Sequence, residues 1–125
     1  MKATTKQNLV KALTAIAAAN LEGYTVDAIT LEPITSGYAV AVIETQNSFG
    51  TEGLERVINY VTSHEEINAF GGWYNQEDGQ FYFDATVVVK DFNRAIDLAC
   101  MNKQLAFYCL HTGLTYDQDG NELKY

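Results

Sequence analysis

Residues Ala69–Val89 read AFGGWYNQEDGQFYFDATVVV, and this stretch decides the predicted fold. Two runs rich in aromatic and β-branched residues, which favour strands, flank a polar turn that ends in Asp78-Gly79. Aspartate followed by glycine supplies the positive φ that tight hairpin turns need. The stretch therefore predicts a β-hairpin that pairs Ala69–Tyr74 with Gln80–Val89.

Helical patterns alternate with strand patterns around this hairpin. Helices are predicted to begin near residues 5, 51 and 91, with Ser48 or Thr51 capping the second and Asp91 the third. Tyr38–Thr45 is apolar on both faces and is expected to be a central strand. We predict one α+β domain over residues 1–125, a mostly antiparallel sheet with helices packed on it, in the order α-β-β-α-β-β-α-β-(β-β). The other predicted strands are Tyr24–Leu31, Gln104–Leu110 and a last hairpin of Leu114–Tyr116 with Glu122–Tyr125.

Composition supports a packed, soluble domain. Hydrophobic residues make up 47% and charged residues 19% of 125 residues. No apolar run approaches the roughly 18 residues of a membrane span. The N-terminal stretch has three lysines and an apolar stripe on one helical face, whereas a secretory segment is apolar all round. We expect an amphipathic helix of a cytoplasmic protein with no membrane partner.

The negative charge is concentrated in the middle of the chain. The formal net charge is −8, but residues 12–89 hold eleven acidic residues against one basic residue, Arg56. A protein that grips nucleic-acid phosphates normally presents a basic face, so direct nucleic-acid binding is not expected. An acidic surface instead favours a partner with a basic cleft.

The hairpin also carries the candidate binding residues. Its aromatic side chains fit either a core wall with solvent-facing tyrosines or an exposed aromatic platform, because Trp and Tyr dominate binding hot spots. Asp84 has two interpretations as well: burial beside Tyr82 or Trp73 would raise its pKa, whereas an edge position facing water, which we expect, would not. The partner-binding candidates are Trp73, Tyr74, Tyr82, Asp84, Glu77, Asp78, Glu52, Glu55, Glu65 and Glu66.

No motif of high specificity for catalysis, cofactor or metal binding occurs in the sequence. Cys109 shares a strand face with apolar residues, so burial is favoured over pairing with a histidine as a nucleophile. Gly71-Gly72 lacks the Lys and Ser or Thr that follow in a phosphate loop, and is expected to allow close approach of another strand. Asp117, Asp119 and Asn121 mimic the start of a calcium loop, but the glycine expected next is Glu122. We predict a non-enzymatic protein without cofactor or metal.

Turn glycines, strand aromatics and helix residues between positions 23 and 110 form one further pattern. Its residues are Gly71-Gly72-Trp73-Tyr74 through Gly79, Tyr82 and Asp84, then Ala95, Ala99, Asn102, Gln104 and Ala106, and also Gly23-Tyr24-Thr25 and Ser36-Gly37-Tyr38-Ala39-Val40. In this pattern, residues 23–110 resemble small uncharacterised acidic proteins of bacteriophages and mobile genetic elements. The resemblance implies a genetic setting in which short acidic proteins bind host proteins, including restriction and CRISPR machinery, and it carries over no catalytic residue.

Three functions follow as hypotheses. The first is an acidic module that binds and inhibits a host nucleic-acid-processing or defence protein, as anti-CRISPR and antirestriction proteins do. The second is a protein that binds a small molecule or nucleotide in a pocket near Trp73, Tyr82 and Asp84. The third is a self-associating module that pairs through its terminal strand near Tyr116–Tyr125 to form a homo-oligomer.

Overall fold

The structure, a computed structural model, describes the backbone of residues 3–124 and the side-chain surroundings of residues 6–124. Within residues 3–124, three α-helices and eight strands form, and no helix is long and apolar enough to cross a lipid bilayer. In chain order the elements are α1 (Ala3–Ala19), β1 (Tyr24–Asp27), β2 (Tyr38–Ala41), a 3-10 helix (Ile43–Thr45), β3 (Ser48–Phe49), α2 (Gly50–Ser63), β4 (Ala69–Asn75), β5 (Gln80–Val89), α3 (Phe92–Met101), β6 (Ala106–Cys109), β7 (Thr115–Asp117) and β8 (Glu122–Leu123).

All eight strands belong to one antiparallel sheet, which confirms the predicted α+β class. The strand order is β1-β4-β5-β2-β6-β7-β8, and β3 pairs with β5 beside β2. β5 is the longest strand, with ten residues, and it contacts β4 along one edge and β2 and β3 along the other. The predicted central position of the strand that begins at Tyr38 is confirmed, since β2 lies between β5 and β6.

The three helices pack on one face of the sheet, as the alternation along β5 shows. Phe83 and Ala85 lie in a buried cluster with α1 and α2, whereas Val89 packs in a second cluster with α3, and Val87 contacts both. Alternate residues of a strand point to the same side, so both clusters cover the same face. Burying a side chain such as Ile58 of α2, which is 0% exposed, contributes about 1.5–3 kcal/mol.

The opposite face of the sheet, which we call the open face, receives none of the three helices within the described residues. Its middle carries small and hydroxyl-bearing side chains, and its β3 end carries large aromatic rings. The open-face residues used below are Thr25 of β1, Phe49 of β3, Gly71 and Trp73 of β4, Tyr82, Asp84 and Thr86 of β5, Ala39 and Ala41 of β2, Ala106 and Tyr108 of β6, and Thr115 of β7.

The strand predicted over Tyr24–Leu31 is half as long in the structure. It ends at Asp27, whose carboxylate accepts hydrogen bonds from the backbone N–H groups of Ile29 (2.8 Å) and Thr30 (3.0 Å). Leu31 then has a φ of 61°. A short polar side chain that bonds its own following backbone favours a turn, and this local preference outweighs the β propensity of the sequence.

The region after β2 also differs from the prediction. The strand predicted over Tyr38–Thr45 ends at Ala41 and gives way to the 3-10 helix. β3 forms within residues Gln46–Gly50, where the sequence predicts a loop. The Thr45 hydroxyl accepts a hydrogen bond from Ala85 N–H at 3.0 Å, so the bend is fixed against β5. The predicted caps of α2 at Ser48 or Thr51 are wrong, because the N-cap position is Phe49 and has no side-chain cap bond.

Several local predictions are confirmed. The β4–β5 hairpin pairs over its whole length, and Gly79 has the expected positive φ, 71°. Asp91 caps α3 by accepting a hydrogen bond from the N–H of Asn93 at 3.0 Å. The last hairpin forms as β7 and β8, although the predicted end at Tyr125 lies outside the described residues. The strand predicted from Gln104 is shorter and comprises only the four residues of β6.

Candidate functional site

The pair Gly71-Gly72 allows side chains of neighbouring strands to cover both faces of β4. A Cβ atom on Gly71 would lie 2.6 Å from Asp84 Oδ1 and 2.7 Å from Thr86 Oγ1 on the open face. A Cβ on Gly72 would lie 2.5 Å from a ring carbon of Phe81 on the helix-covered face. Both glycines therefore serve the close approach that the sequence suggested, and the first of them makes room for a carboxylate.

Three aromatic rings form a row across β4, β5 and β3 on the open face, which we call the aromatic row. The rings of Trp73 and Tyr82 stack with centroids 5.3 Å apart, and Tyr82 lies 5.4 Å from Phe49. Trp73 is 47% exposed and Phe49 is 46% exposed. The Tyr82 hydroxyl donates to the carboxylate of Asp78, and this bond raises the tyrosine pKa. The row thus presents apolar surface bordered by a carboxylate.

Tyr74, another candidate, is not part of the aromatic row. It pairs with Phe81, so it faces the side of the sheet that the helices cover. There it borders a second cleft of about 360 Å³ between α1, the first turn of α2 and the β4–β5 hairpin. The adjacent residues Trp73 and Tyr74 therefore belong to opposite faces, although both are exposed.

A cleft of about 740 Å³ opens beside the aromatic row and extends over the middle of the open face. Its lining includes Trp73 and Tyr108, and small side chains such as Ala41 leave room between them. Polar groups converge on the cleft from Glu22, Asp84 and the threonines of β1, β5 and β7. The described residues that line it include no Lys, Arg or His, so the local charge is negative.

Asp84 lies in an interior strand, with β4 on one side of β5 and β2 and β3 on the other, so the expected edge position is wrong. Its carboxylate is partly buried over Gly71 and accepts a hydrogen bond from the Thr86 hydroxyl. Burial raises the pKa of Asp84 to about 6, and the hydroxyl bond opposes this shift. Burial and the charge of Asp84 also raise the pKa of Tyr24. The Tyr24 hydroxyl is buried and has no hydrogen-bond partner among the described residues.

β2 and β6 separate at the floor of this cleft, and we call the gap between them the split. Their ladder has two residue pairs and stops, although β2 continues to Ala41 and β6 begins at Ala106. The N–H of Leu110 donates to the carbonyl of Gly37 at 2.9 Å, and hydrogen-bonded pairs recur at every second residue of an antiparallel ladder. Ala39–Tyr108 is therefore the next such pair, and Ala41–Ala106 would be the one after it. The backbone N–H and C=O groups of Ala41 and Ala106 face the split without a strand partner in the described chain.

The acidic candidates fall into three groups rather than one patch. Glu52 and Glu55 lie in the first turns of α2, in the helical layer. Glu65 and Glu66 follow its C-terminus, at the opposite end of the helix. Glu77 and Asp78 lie in the turn of the β4–β5 hairpin, and Asp78 reaches the aromatic row through Tyr82. Of the ten candidates, the structure brings together Trp73, Tyr82, Asp84 and Asp78, with Glu77 beside them in sequence.

Cys109 and the acidic turn that begins at Asp117, which the sequence offers as further polar sites, have contacts that support the fold. Cys109 is 7% exposed, as expected of a small apolar residue. The Asp117 carboxylate accepts hydrogen bonds from the N–H groups of Asp119 and Asn121, both at 2.9 Å, and so closes the β7–β8 turn. Within residues 3–124, no three His, Cys, Asp or Glu side chains lie close enough together to hold a metal ion.

Sequence reasoning missed several residues of the site. The sequence predicts a loop at Phe49, because a two-residue strand has no periodicity to detect. Glu22 and Tyr108 border the cleft from segments that are distant in sequence. The alternation along β5 was the one available signal, since it places Thr86 on the same face as Tyr82 and Asp84.

Comparison with protein-family models, with curated proteins and with solved structures finds no match to this chain. The fold and the site therefore define only a class, an α+β protein with one uncovered sheet face that bears an acidic, aromatic cleft. A fold does not fix an activity, so the function has to be argued from the chemistry of that face.

Proposed function

We propose that the protein is a non-enzymatic binding module whose open face binds a basic segment of a partner protein. The observation that carries this proposal is the aromatic row, which exposes Trp73 and Phe49 beside carboxylates on the open face. A stable domain usually buries such rings, because each removes 150–250 Å² of surface from water on full burial. Rings left exposed at a cleft are typical of a binding site.

The chemistry of the aromatic row suits cationic side chains. Lysine and arginine are attracted to the faces of aromatic rings, and tryptophan is the strongest of these partners. Each such contact contributes about 0.5–2 kcal/mol, more where water is excluded. Asp78 borders the row through its bond with Tyr82, so a cation over these rings also meets a carboxylate.

Charge around the face supports a basic partner. Arg56, the only basic residue of segment 12–89, donates hydrogen bonds to Ser48 Oγ (3.0 Å) and to the carbonyl of Gln46 (2.7 Å). It does not line the cleft, where Glu22 and Asp84 add negative charge. A negative cleft draws a basic partner over about one Debye length, roughly 8 Å at physiological salt.

The resemblance to proteins of phages and mobile elements suggests which partner has this chemistry. A host nucleic-acid-processing or defence protein presents a basic cleft for phosphates, and carboxylates that take the place of phosphates would inhibit it. Because the acidic candidates are divided among three places, we assign this role to the open face, where Glu22, Asp78 and Asp84 lie near exposed rings.

A small cationic molecule is the second candidate ligand, because the cleft volume of about 740 Å³ falls within the roughly 300–1,000 Å³ of small-molecule sites. A nucleotide suits the cleft poorly, since its phosphates would meet two carboxylates and no basic residue among the described lining residues. Self-association has less support: β8 is an edge strand, but it has two residues, and short edges resist pairing. Sedimentation at tens of micromolar tests it, and we expect a monomer.

Affinity capture from lysate of the natural host tests the proposal with a matched pair of variants. Trp73→Ala removes an exposed ring from the open face, and Tyr74→Ala removes an exposed ring from the other face of the same hairpin. We expect a protein with a basic cleft to bind the wild type and Tyr74→Ala at low salt, to bind Trp73→Ala at least tenfold less, and to elute as salt rises. Equal capture by all three proteins, or no salt-sensitive partner, would refute the proposal.

A further inference from the structure

We propose that Asp84 is the anchoring group of the cleft and that it receives one cationic side chain, ammonium or guanidinium, from the bound segment. The inference rests on the proposed function and deepens it, because it names the group that the partner must supply. Three independent features of the open face lead to it: the position of the carboxylate, the lack of a counter-charge and the unpaired backbone at the split.

The first feature is the position of the Asp84 carboxylate. Oδ1 lies over Gly71 and accepts the hydrogen bond from Thr86, and no hydrogen bond from the described residues reaches Oδ2. The carboxylate lines the cleft, so this second oxygen is available to a ligand. Because only glycine at position 71 leaves space for the Asp84 and Thr86 side chains, the backbone itself shapes the anchor.

The second feature is the missing counter-charge. A partly buried carboxylate with one hydroxyl partner is an unfavourable arrangement, since burial removes water that the charge would otherwise bind. The polar side chains that line the cleft with Asp84 are Glu22, Thr25, Thr86, Tyr108 and Thr115. Tyr82 lies beside Asp84 on the open face, and Tyr24 approaches it from the helix-covered face. None of these described residues is cationic. A cation that enters the cleft would therefore be bound more strongly here than at an exposed carboxylate.

The third feature is the backbone at the split. Ala41 and Ala106 present N–H and C=O groups without a strand partner, and their small side chains leave the approach clear. Ala41 pairs with Thr86, so Asp84 lies diagonally from it, at about 7–8 Å in an antiparallel sheet. An extended segment bound by backbone hydrogen bonds at the split thus places a long side chain, such as Lys or Arg, within reach of Asp84.

The cleft contains its own reporter, since Trp73 is the single tryptophan of the chain and lines the cleft. The probes are Nα-acetyl-arginine amide and Nα-acetyl-lysine amide, whose only charge is on the side chain, with Nα-acetyl-citrulline amide as the neutral match for arginine. We expect the two cationic amides to change the Trp73 fluorescence of the wild type in a saturable way and the neutral acetyl-citrulline amide to leave it unchanged. The relative response to arginine and lysine distinguishes guanidinium from ammonium as the preferred group.

Two variants test the anchor. Asp84→Asn keeps the shape of the side chain and should weaken binding of the cationic amides at least tenfold. Glu52→Gln makes the same change of charge in the helical layer and should change binding less than twofold. Wild-type binding should also fall between pH 7.5 and pH 5, because the pKa of Asp84 is raised to about 6, and the Asn variant should lose this dependence. The pH dependence of wild-type binding can be measured even if the Asn variant does not fold.

The outcomes separate the two proposals. If Asp84→Asn binds the cationic amides as the wild type does, or if Glu52→Gln weakens binding equally, the anchor is refuted, whereas lysate capture through Trp73 can still support the proposed function. If the amides bind through Asp84 and no protein is captured, the anchor stands and the site is one for a small cationic molecule.

Discussion

Substitution of Gly71 by alanine tests the geometry on which the site depends. The new methyl group would lie 2.6 Å from Asp84 Oδ1 and 2.7 Å from Thr86 Oγ1, both far inside normal contact. Either the Asp84–Thr86 pair must shift and lose its hydrogen bond, or β4 must move away from β5. Overpacking of this kind costs about 1–3 kcal/mol, so we expect the free energy of unfolding to fall by that amount.

The assay is urea unfolding at pH 7.5, followed by Trp73 fluorescence and by circular dichroism, in a double-mutant cycle. Asp84→Ala removes the carboxylate with which the new methyl group collides. We therefore expect Gly71→Ala to cost less in the Asp84→Ala background, with a coupling of about 0.5–2 kcal/mol. If Gly71→Ala leaves stability unchanged, or costs the same in both backgrounds, the carboxylate does not lie over Gly71 and the reasoning fails.

Three further predictions concern the same face and its supports. The pKa of Asp84 in the folded protein is raised to about 6 from an ordinary 3.8, so its ionisation destabilises the fold as pH rises from about 4 to 6. The Asp84→Asn variant should therefore unfold at a higher urea concentration than the wild type at pH 7.5, and this difference should vanish near pH 3.5. Asn102→Ala removes the side chain that accepts from Ile43 N–H at 3.2 Å, and a thermal melt should show a loss of about 1–3 kcal/mol. Tyr82→Phe removes the bond to exposed Asp78 but keeps the aromatic row, so chemical unfolding should change by less than about 0.5 kcal/mol.

The parts of the fold that sequence predicted correctly are those set by local chemistry. The Asp78-Gly79 turn and the Asp91 cap act through residues within a few positions of themselves, and the structure has both. The amphipathic stripe of α2 needs no knowledge of its partner either, because the helical period alone defines its buried face.

The incorrect boundaries depend on contacts between distant segments. β2 stops at Ala41 because the following residues bend to place Thr45 against Ala85, forty positions away. β3 forms because β5 has an unpaired edge beside β2, and a two-residue strand is too short to show a sequence pattern that predicts this pairing. The predicted edge position of Asp84 is wrong for the same reason, because alternation gives the face of a strand but not its position in the sheet.

The candidate site lies where the local rules of the sequence conflict with the fold. A central strand favours apolar side chains, yet β5 carries Asp84 at its middle, and β4 opposes it with Gly71, a poor strand former. At neutral pH the carboxylate lowers stability, since its folded pKa is raised, and the glycine that accommodates it adds backbone entropy to the unfolded state. An apolar residue in place of Asp84 would remove the first of these costs and leave the helix-covered core unchanged. Natural sequences that otherwise specify a fold consistently tend to break such rules at functional sites. The unfavourable pair of Asp84 and Gly71 in interior strands therefore supports the assignment of the functional site to this cleft.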